Sequence, residues 1–294
     1  MNRRYFAYGS NLNLADWHRW CGENGFREGL MRPLFRAWLP DRRLAFTRYS
    51  TARQGGVLDI LPARGHLVNG LVFAVDEDGW RALERKEGAP RWYEPCDTEV
   101  LTPDGLAHPV RTFEVAPASR QRFVVPKAKY LDLVLAVCRE FGISTQATAA
   151  AATNEVEEPA IKSLFVYGTL MRGEARSALL ADRSGVFTPS RVCGSLHDLG
   201  SYPGLTPEPS SKRWVFGEIH GGVGAEQLAM LDGVEGFPGF EVPGGLFRRR
   251  MIDTHGVDGQ TLRAWVYVAS SVGGRPRIES GDWRVHRRQS SLLG

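Results

Sequence analysis

The chain has 294 residues, 43% of them hydrophobic and 24% charged, an ordinary globular composition that excludes chain-wide disorder and supplies apolar material for two modest cores. The 37 basic and 33 acidic residues leave a formal net charge of +4, too mild to point to a nucleic-acid partner. Four cysteines, Cys21, Cys96, Cys138 and Cys193, have no CxxC spacing, which excludes a zinc ribbon or a disulfide scaffold and leaves them as buried or incidental thiols.

In chain order, Met1-Asn2-Arg3-Arg4 runs directly into a strand-like segment with no apolar leader pattern before it, so a cytoplasmic protein is expected. That strand breaks at a turn, Tyr5-Phe6-Ala7-Tyr8-Gly9-Ser10-Asn11-Leu12. A short helix is predicted from about Asn13, with Asn11 or Asn13 as cap and Gly22 as stop. Strand candidates follow at 37–39, 44–46, 57–61 and 67–75, and Asp76 then caps an amphipathic helix carrying Trp80, Leu83 and Glu87. Further strands are predicted at 98–101 and 110–115, and a helix from about Lys127 to Phe141. The apolar run Leu131 to Val137 is far too short to span a bilayer, and no membrane association is expected.

Residues 144–162 have almost no large apolar side chain and run through an acidic cluster to Pro159, so they read as a linker between domains 1–143 and 163–294. Beyond it the plan repeats, with strands at 164–167, 214–220 and 262–268 and a helix at 225–234. The basic runs Arg248-Arg249-Arg250 and Arg284 to Arg288 read as solvated faces.

The repeat is specific in its residues. Glu87-Gly88-Ala89-Pro90 matches Glu235-Gly236-Phe237-Pro238 at an offset of 148 (235 minus 87), and Trp80, Leu83 and Glu84 fall on Leu228, Leu231 and Asp232. The upstream turn recurs as Tyr167-Gly168-Thr169-Leu170 at an offset of 159 (167 minus 8), so the second copy is 11 residues shorter between turn and glutamate (159 minus 148). Such a difference is what an indel in a surface loop produces. Short strands with few helices, lacking regular strand–helix alternation, point to an α+β class with two curled, mostly antiparallel sheets or small barrels.

A turn between strand and helix leaves backbone N–H groups that can hold a carboxylate or oxyanion, or it is a plain connection. A glutamate in the last helical turn faces the negative end of the macrodipole, which disfavours its charged form. If the site is also dry, such a carboxyl can take a proton and return it near neutral pH; a solvated glutamate before a glycine stop is the alternative. No GxSxG, HExxH, GxGxxG or GxxxxGK[ST] motif is present, and the seven histidines are scattered singly, so neither a metal nor a dinucleotide cofactor is indicated.

The strand-Tyr-Gly-Ser-Asn-Leu turn, followed about 80 residues later by a helix ending Leu-x-x-x-Glu-Gly, resembles the γ-glutamylcyclotransferase family. Tyr93, six residues after Glu87, fits the family's usual tyrosine. The second copy, with residues 165–173 and Gly281-Asp282-Trp283, is more similar to the γ-glutamylamine cyclotransferase and AIG2-like branch.

The resemblance implies two small mixed, mostly antiparallel β-barrels with flanking helices and a cofactor-free reaction. The α-amine of a γ-glutamyl amide attacks its own γ-carbonyl, releasing 5-oxoproline and an amine or amino acid. Glu87, and separately Glu235 in its own copy, would take the proton from the ammonium and later pass it to the leaving amine. Tyr8, Gly9, Ser10, Asn11, Leu12 and Tyr93 would bind substrate in the first copy, and Tyr167, Gly168, Thr169 and Leu170 in the second. The second copy departs by carrying phenylalanine, within Phe240 to Arg249, where a tyrosine is usual; in the first, Phe113 replaces a common strand tyrosine. A non-catalytic binding or scaffold protein, or a biosynthetic tailoring enzyme acting on another amide, are the alternatives, and the two copies could pack as a pseudo-dimer or stay apart on the linker.

Overall fold

The computed structural model describes residues 3–180 and 187–293; Met1 and Asn2, where the leader-free start was read, lie outside them. Two compact units result, the first comprising residues up to Thr102 and Ala107–Ala160, the second Pro103–Leu106 and the chain from Ile161 onward.

In the first unit, β1 (Arg3–Ala7) leads through a single 3₁₀ turn into α1 (Leu14–Glu23). Asn13 caps α1, its side chain accepting from the Asp16 N–H. The expected stop at Gly22 lies inside the helix, which ends at Glu23 with Asn24 as its C-cap. Next come two long strands, β2 (Met31–Ser50) and β3 (Gly55–Val75), then α2 (Glu77–Glu87), β4 (Tyr93–Leu101), β5 (Ala107–Val115) and α3 (Ala128–Glu140). The strands close into a barrel in the order β1-β3-β2-β4-β5, in which only the closing pair, β1 with β5, is parallel.

The segment 144–162 differs from its reading as a bare linker. Its middle forms α4 (Gln146–Ala152), which buries Thr148 and Ala151 and packs Ala147 and Ala152 on the first core. Small side chains do not preclude packing; methyl groups can seat a short helix closely against a sheet.

The second unit contains β6 (Ser163–Val166), β7 (Phe187–Asp198), β8 (Pro203–Pro207), β9 (Trp214–Gly221), α5 (Ala225–Val234), β10 (Phe247–Gly256), β11 (Thr261–Ala269) and α6 (Trp283–Leu293). Its barrel runs β10-β11-β6-β9-β7 and closes through β10 and β7, with β8 added on the outer part of β7. Again one pair, β11 with β6, is parallel. Where the first unit has the continuous β3, the second has two strands, β8 and β9. No described helix is long and apolar enough to cross a membrane.

The two barrels share a close approach that fixes the position of the turn. A Cβ added to Gly70 would lie 2.3 Å from the Ala7 carbonyl oxygen and against the Phe6 ring, and one added to Gly217 would lie 2.2 Å from the Val166 oxygen and against Phe165. Glycine is required there because the strand entering the turn presses on the backbone of its neighbour.

Candidate functional site

Glu87 closes α2, and Gly88 follows in the left-handed region at φ 63°. The Ala89 N–H donates to the Glu84 carbonyl and the Gly88 N–H to that of Arg85, a Schellman ending that glycine permits without strain. Phe237 and Gly236 make the same pair of bonds, to Asp232 and Gly233. Each glutamate is thereby held at a helix end and aimed at the turn that follows the first strand of its unit.

In the first unit the turn and glutamate meet in a cavity of about 30 Å³ lined by Tyr5, Tyr8, Gly9, Ser10, Asn11, Glu87, Tyr93 and Tyr130 among others. The Leu12 and Asn13 N–H groups close the turn on the Gly9 and Ser10 carbonyls, leaving the N–H groups of Gly9, Ser10 and Asn11 outside those bonds. Leu12 itself is buried in the core and is absent from the cavity wall. Asn11 donates to the Glu87 carboxylate at 2.6 Å and to the Tyr5 hydroxyl at 2.9 Å.

Tyr8 donates to the Phe113 carbonyl at 2.7 Å and Tyr93 to the Leu58 carbonyl at 2.8 Å. Their protons are used, so both phenol oxygens face the cavity as acceptors. Burial pushes the Glu87 carboxyl above its ordinary range, while Lys86, the Asn11 amide, Arg48 and Arg53 pull it back. Replacing Asn11 by leucine removes a donor that favours the charged form. Asn11→Leu should therefore move the acidic limb of any Glu87-dependent pH–rate profile to higher pH, measured with Glu235 neutralised; an unmoved limb would contradict the role given to this amide.

The second unit carries that leucine naturally. Leu170 occupies the position of Asn11, and the cavity of about 70 Å³ is lined by Tyr167, Gly168, Thr169, Leu170, Arg176, Tyr202, Glu235, Phe247 and Tyr267 among others. Tyr167 donates to the Tyr267 carbonyl at 2.7 Å, just as Tyr8 does to Phe113. Burial raises Glu235 to about 7, with Arg176 opposing the shift.

A carboxyl at 4.5 unfolded and about 7 folded stabilises the fold fully below pH 4.5, and that contribution is lost as pH rises through 7. Glu235→Gln, which cannot ionise, should thus exceed the wild type in stability at pH 8 by about 3 kcal/mol, with the gap closing below pH 5. Denaturant titrations at the two pH values check this; a gap independent of pH would contradict it.

Strand register identifies the substituted tyrosine. Tyr93 pairs with Val115 and Phe247 with Ala269 at the same point of the two barrels, so Phe247, rather than Phe240, stands at the place of Tyr93. The same register sets Tyr267 at the place of Phe113 and Arg249 at that of Pro95. Arg249 is fully buried and pairs with Asp232 at 3.0 Å, and Tyr267 donates to Asp232 at 2.7 Å. Arg248 is also buried, donating to the Val242 and Gly244 carbonyls. The basic run 248–250 is therefore largely interior, contrary to its reading as a solvated face.

Tyr5, Tyr130, Arg176, Tyr202 and Tyr267 were not among the sequence candidates. Tyr130 comes from α3, more than 40 residues beyond Glu87 in a helix with no motif around it. Tyr267 could have been found, since it takes the tyrosine position noted as phenylalanine in the first copy. Among the described residues no cluster of three or more His, Cys, Asp or Glu is arranged to hold a metal ion.

The family model described as gamma-glutamyl cyclotransferase, AIG2-like, matches residues 5–132 and 164–285. A protein of Escherichia coli K12, the gamma-glutamylcyclotransferase family protein YtfP, is 32% identical over 122 residues, covering 41% of this chain and 94% of that one. Among solved structures, a gamma-glutamyl cyclotransferase aligns at 21% identity and a TM-score of 0.45 over 54% of this chain and 90% of its own. An aig2-like protein from Mus musculus aligns at 24% identity and a TM-score of 0.34, over 41% and 87%.

Proposed function

The chain belongs to the γ-glutamyl cyclotransferase, AIG2-like family, and from that premise we propose that it converts γ-glutamyl amides to 5-oxoproline. The observation that carries this reading is the duplicated pairing of a glutamate of raised pKa with a strand-ending Tyr-Gly turn in one cavity.

The glutamyl α-carboxylate takes the orphan N–H groups at Gly9, Ser10 and Asn11, or at Gly168, Thr169 and Leu170. Its α-ammonium then faces the glutamate, and in the first unit also the acceptor oxygens of Tyr8 and Tyr93. Glu87 or Glu235 removes one proton from the ammonium. The freed nitrogen lone pair forms a bond to the γ-carbon, giving a tetrahedral intermediate. As the intermediate collapses, the bond to the leaving nitrogen breaks and the glutamic acid returns its proton to that nitrogen, while the ring nitrogen gives up its remaining surplus proton through the freed carboxylate to the departing amine. The balance is one lactam and one ammonium ion, with no change of oxidation state.

Because nucleophile and electrophile share one molecule, the protein has to fold the substrate and shuttle one proton at a time, and proximity supplies much of the acceleration. A carboxyl near 7, as at Glu235, exchanges that proton at neutral pH with little driving-force penalty.

The test is to incubate the protein with glutathione, γ-glutamyl amino acids and γ-glutamyl amines and to assay 5-oxoproline by mass spectrometry. Lactam from at least one class is expected. Thermal stabilisation by these compounds with no lactam would favour a binding protein instead.

A further inference from the structure

The first unit has a second, larger cavity of about 360 Å³ that shares Ser10, Glu87, Tyr93 and Tyr130 with the inner one. Glu87 thus stands at their junction. With the reacting carbonyl beside Glu87 and the glutamyl head at the turn, the leaving group has to extend into this outer cavity.

The outer wall carries Arg19, Arg48, Arg53 and Lys86. Three of these cations converge on one carboxylate, Asp16, at 2.5, 2.7 and 3.4 Å from Arg19, Arg53 and Lys86. Arg48 is different: among the described residues it has no ion-pair partner, and its buried Nε has no hydrogen-bond acceptor. Its guanidinium carbon lies 4.7 Å from the Trp92 ring centroid and 5.6 Å from that of Tyr93.

A guanidinium stacked on two rings presents its N–H fork in a fixed direction, the geometry that suits a carboxylate. The unsatisfied Nε is a cost that a ligand acceptor would remove. In the second unit no tryptophan among the described residues lines the cavity that holds Glu235, and Leu246 precedes Phe247 where Trp92 precedes Tyr93. The arginine–tryptophan stack belongs to the first site alone.

We propose that Arg48 is a specificity residue that grips a carboxylate on the leaving group, so that the first site prefers γ-glutamyl compounds releasing an amine that bears an acid group. This rests on the cyclotransferase reading. The experiment compares γ-glutamylalanine with γ-glutamylethylamide, whose leaving groups differ by a carboxylate alone, in a Glu235→Gln background that isolates the first site.

At pH 8 kcat/KM should favour the alanine compound by at least about tenfold, mainly through KM. Arg48→Met should bring the ratio close to one, and Arg48→Lys should recover part of it. Equal rates in the parent, a ratio untouched by Arg48→Met, or a parallel loss on both compounds would overturn the assignment while lactam formation itself stands. Lactam from neither compound in this background would overturn this inference, and lactam from no member of the wider γ-glutamyl panel in the wild type would overturn the cyclotransferase reading with it.

Discussion

Glu87→Gln should fold like the wild type and lose about 10²- to 10⁴-fold of first-site lactam formation, the range a positioned proton-transfer group supplies. Its fold should persist because the amide keeps the shape of the acid, and the neutral form is the one that burial favours at this wall. Asn11 can turn its carbonyl oxygen toward the new amide, so the contact to Tyr5 need not be disturbed beyond its own flip. The measurement needs Glu235→Gln as background, since a working second site would mask the loss. A first-site rate within threefold of the parent would show that Glu87 is a structural helix terminus.

The largest expected effect on stability lies at Asp232. This buried carboxylate accepts from Tyr267 and pairs with Arg249, whose guanidinium is enclosed by Phe237, Phe240 and Trp265. Asp232→Ala would leave a cation in the core without its counter-charge, costing about 3–5 kcal/mol. Joint replacement of Asp232 and Arg249 by apolar residues should recover much of this, because the desolvation of both charges is then avoided. Denaturant unfolding of the second unit would measure both, and a loss under 1 kcal/mol for the single variant would contradict the account.

The first unit shows what such a replacement looks like. In place of Leu228, Arg249 and Tyr267 it has Trp80, Pro95 and Phe113, with Trp80 stacked on Phe113 at 5.5 Å and Tyr5 edge-on to both. One copy fills the region beneath its glutamate with aromatic rings, the other with an ion pair and a phenol.

How far the sequence disclosed this follows from the range of the forces involved. The cap at Asp76 and the stops at Gly88 and Gly236 were legible, and that at Asn13 to within the choice between Asn11 and Asn13, because each depends on residues a few positions apart. The glutamates and both turns were legible because the chain states them twice. The full extent of β2 was not: Pro33, Pro40 and the charged run Asp41-Arg42-Arg43 interrupt its alternation, and the strand continues past them through register shifts at Pro33/Phe35, Pro40/Arg42 and Phe46/Arg48. Strand β10 was hidden because Arg248 and Arg249 look solvated until Asp232 and the loop carbonyls are brought beside them. Tyr130 and Arg48 likewise gain their meaning only from a barrel that sets β2, α2 and α3 around one opening.

The most direct test of the central claim is 5-oxoproline production from the γ-glutamyl panel by four proteins: wild type, Glu87→Gln, Glu235→Gln and the double variant. The account predicts that each single variant loses the lactam made at its own site and that the double variant makes none above the uncatalysed rate. A double variant that matches the wild type on any compound would contradict the assignment of these two glutamates as the groups that move the proton.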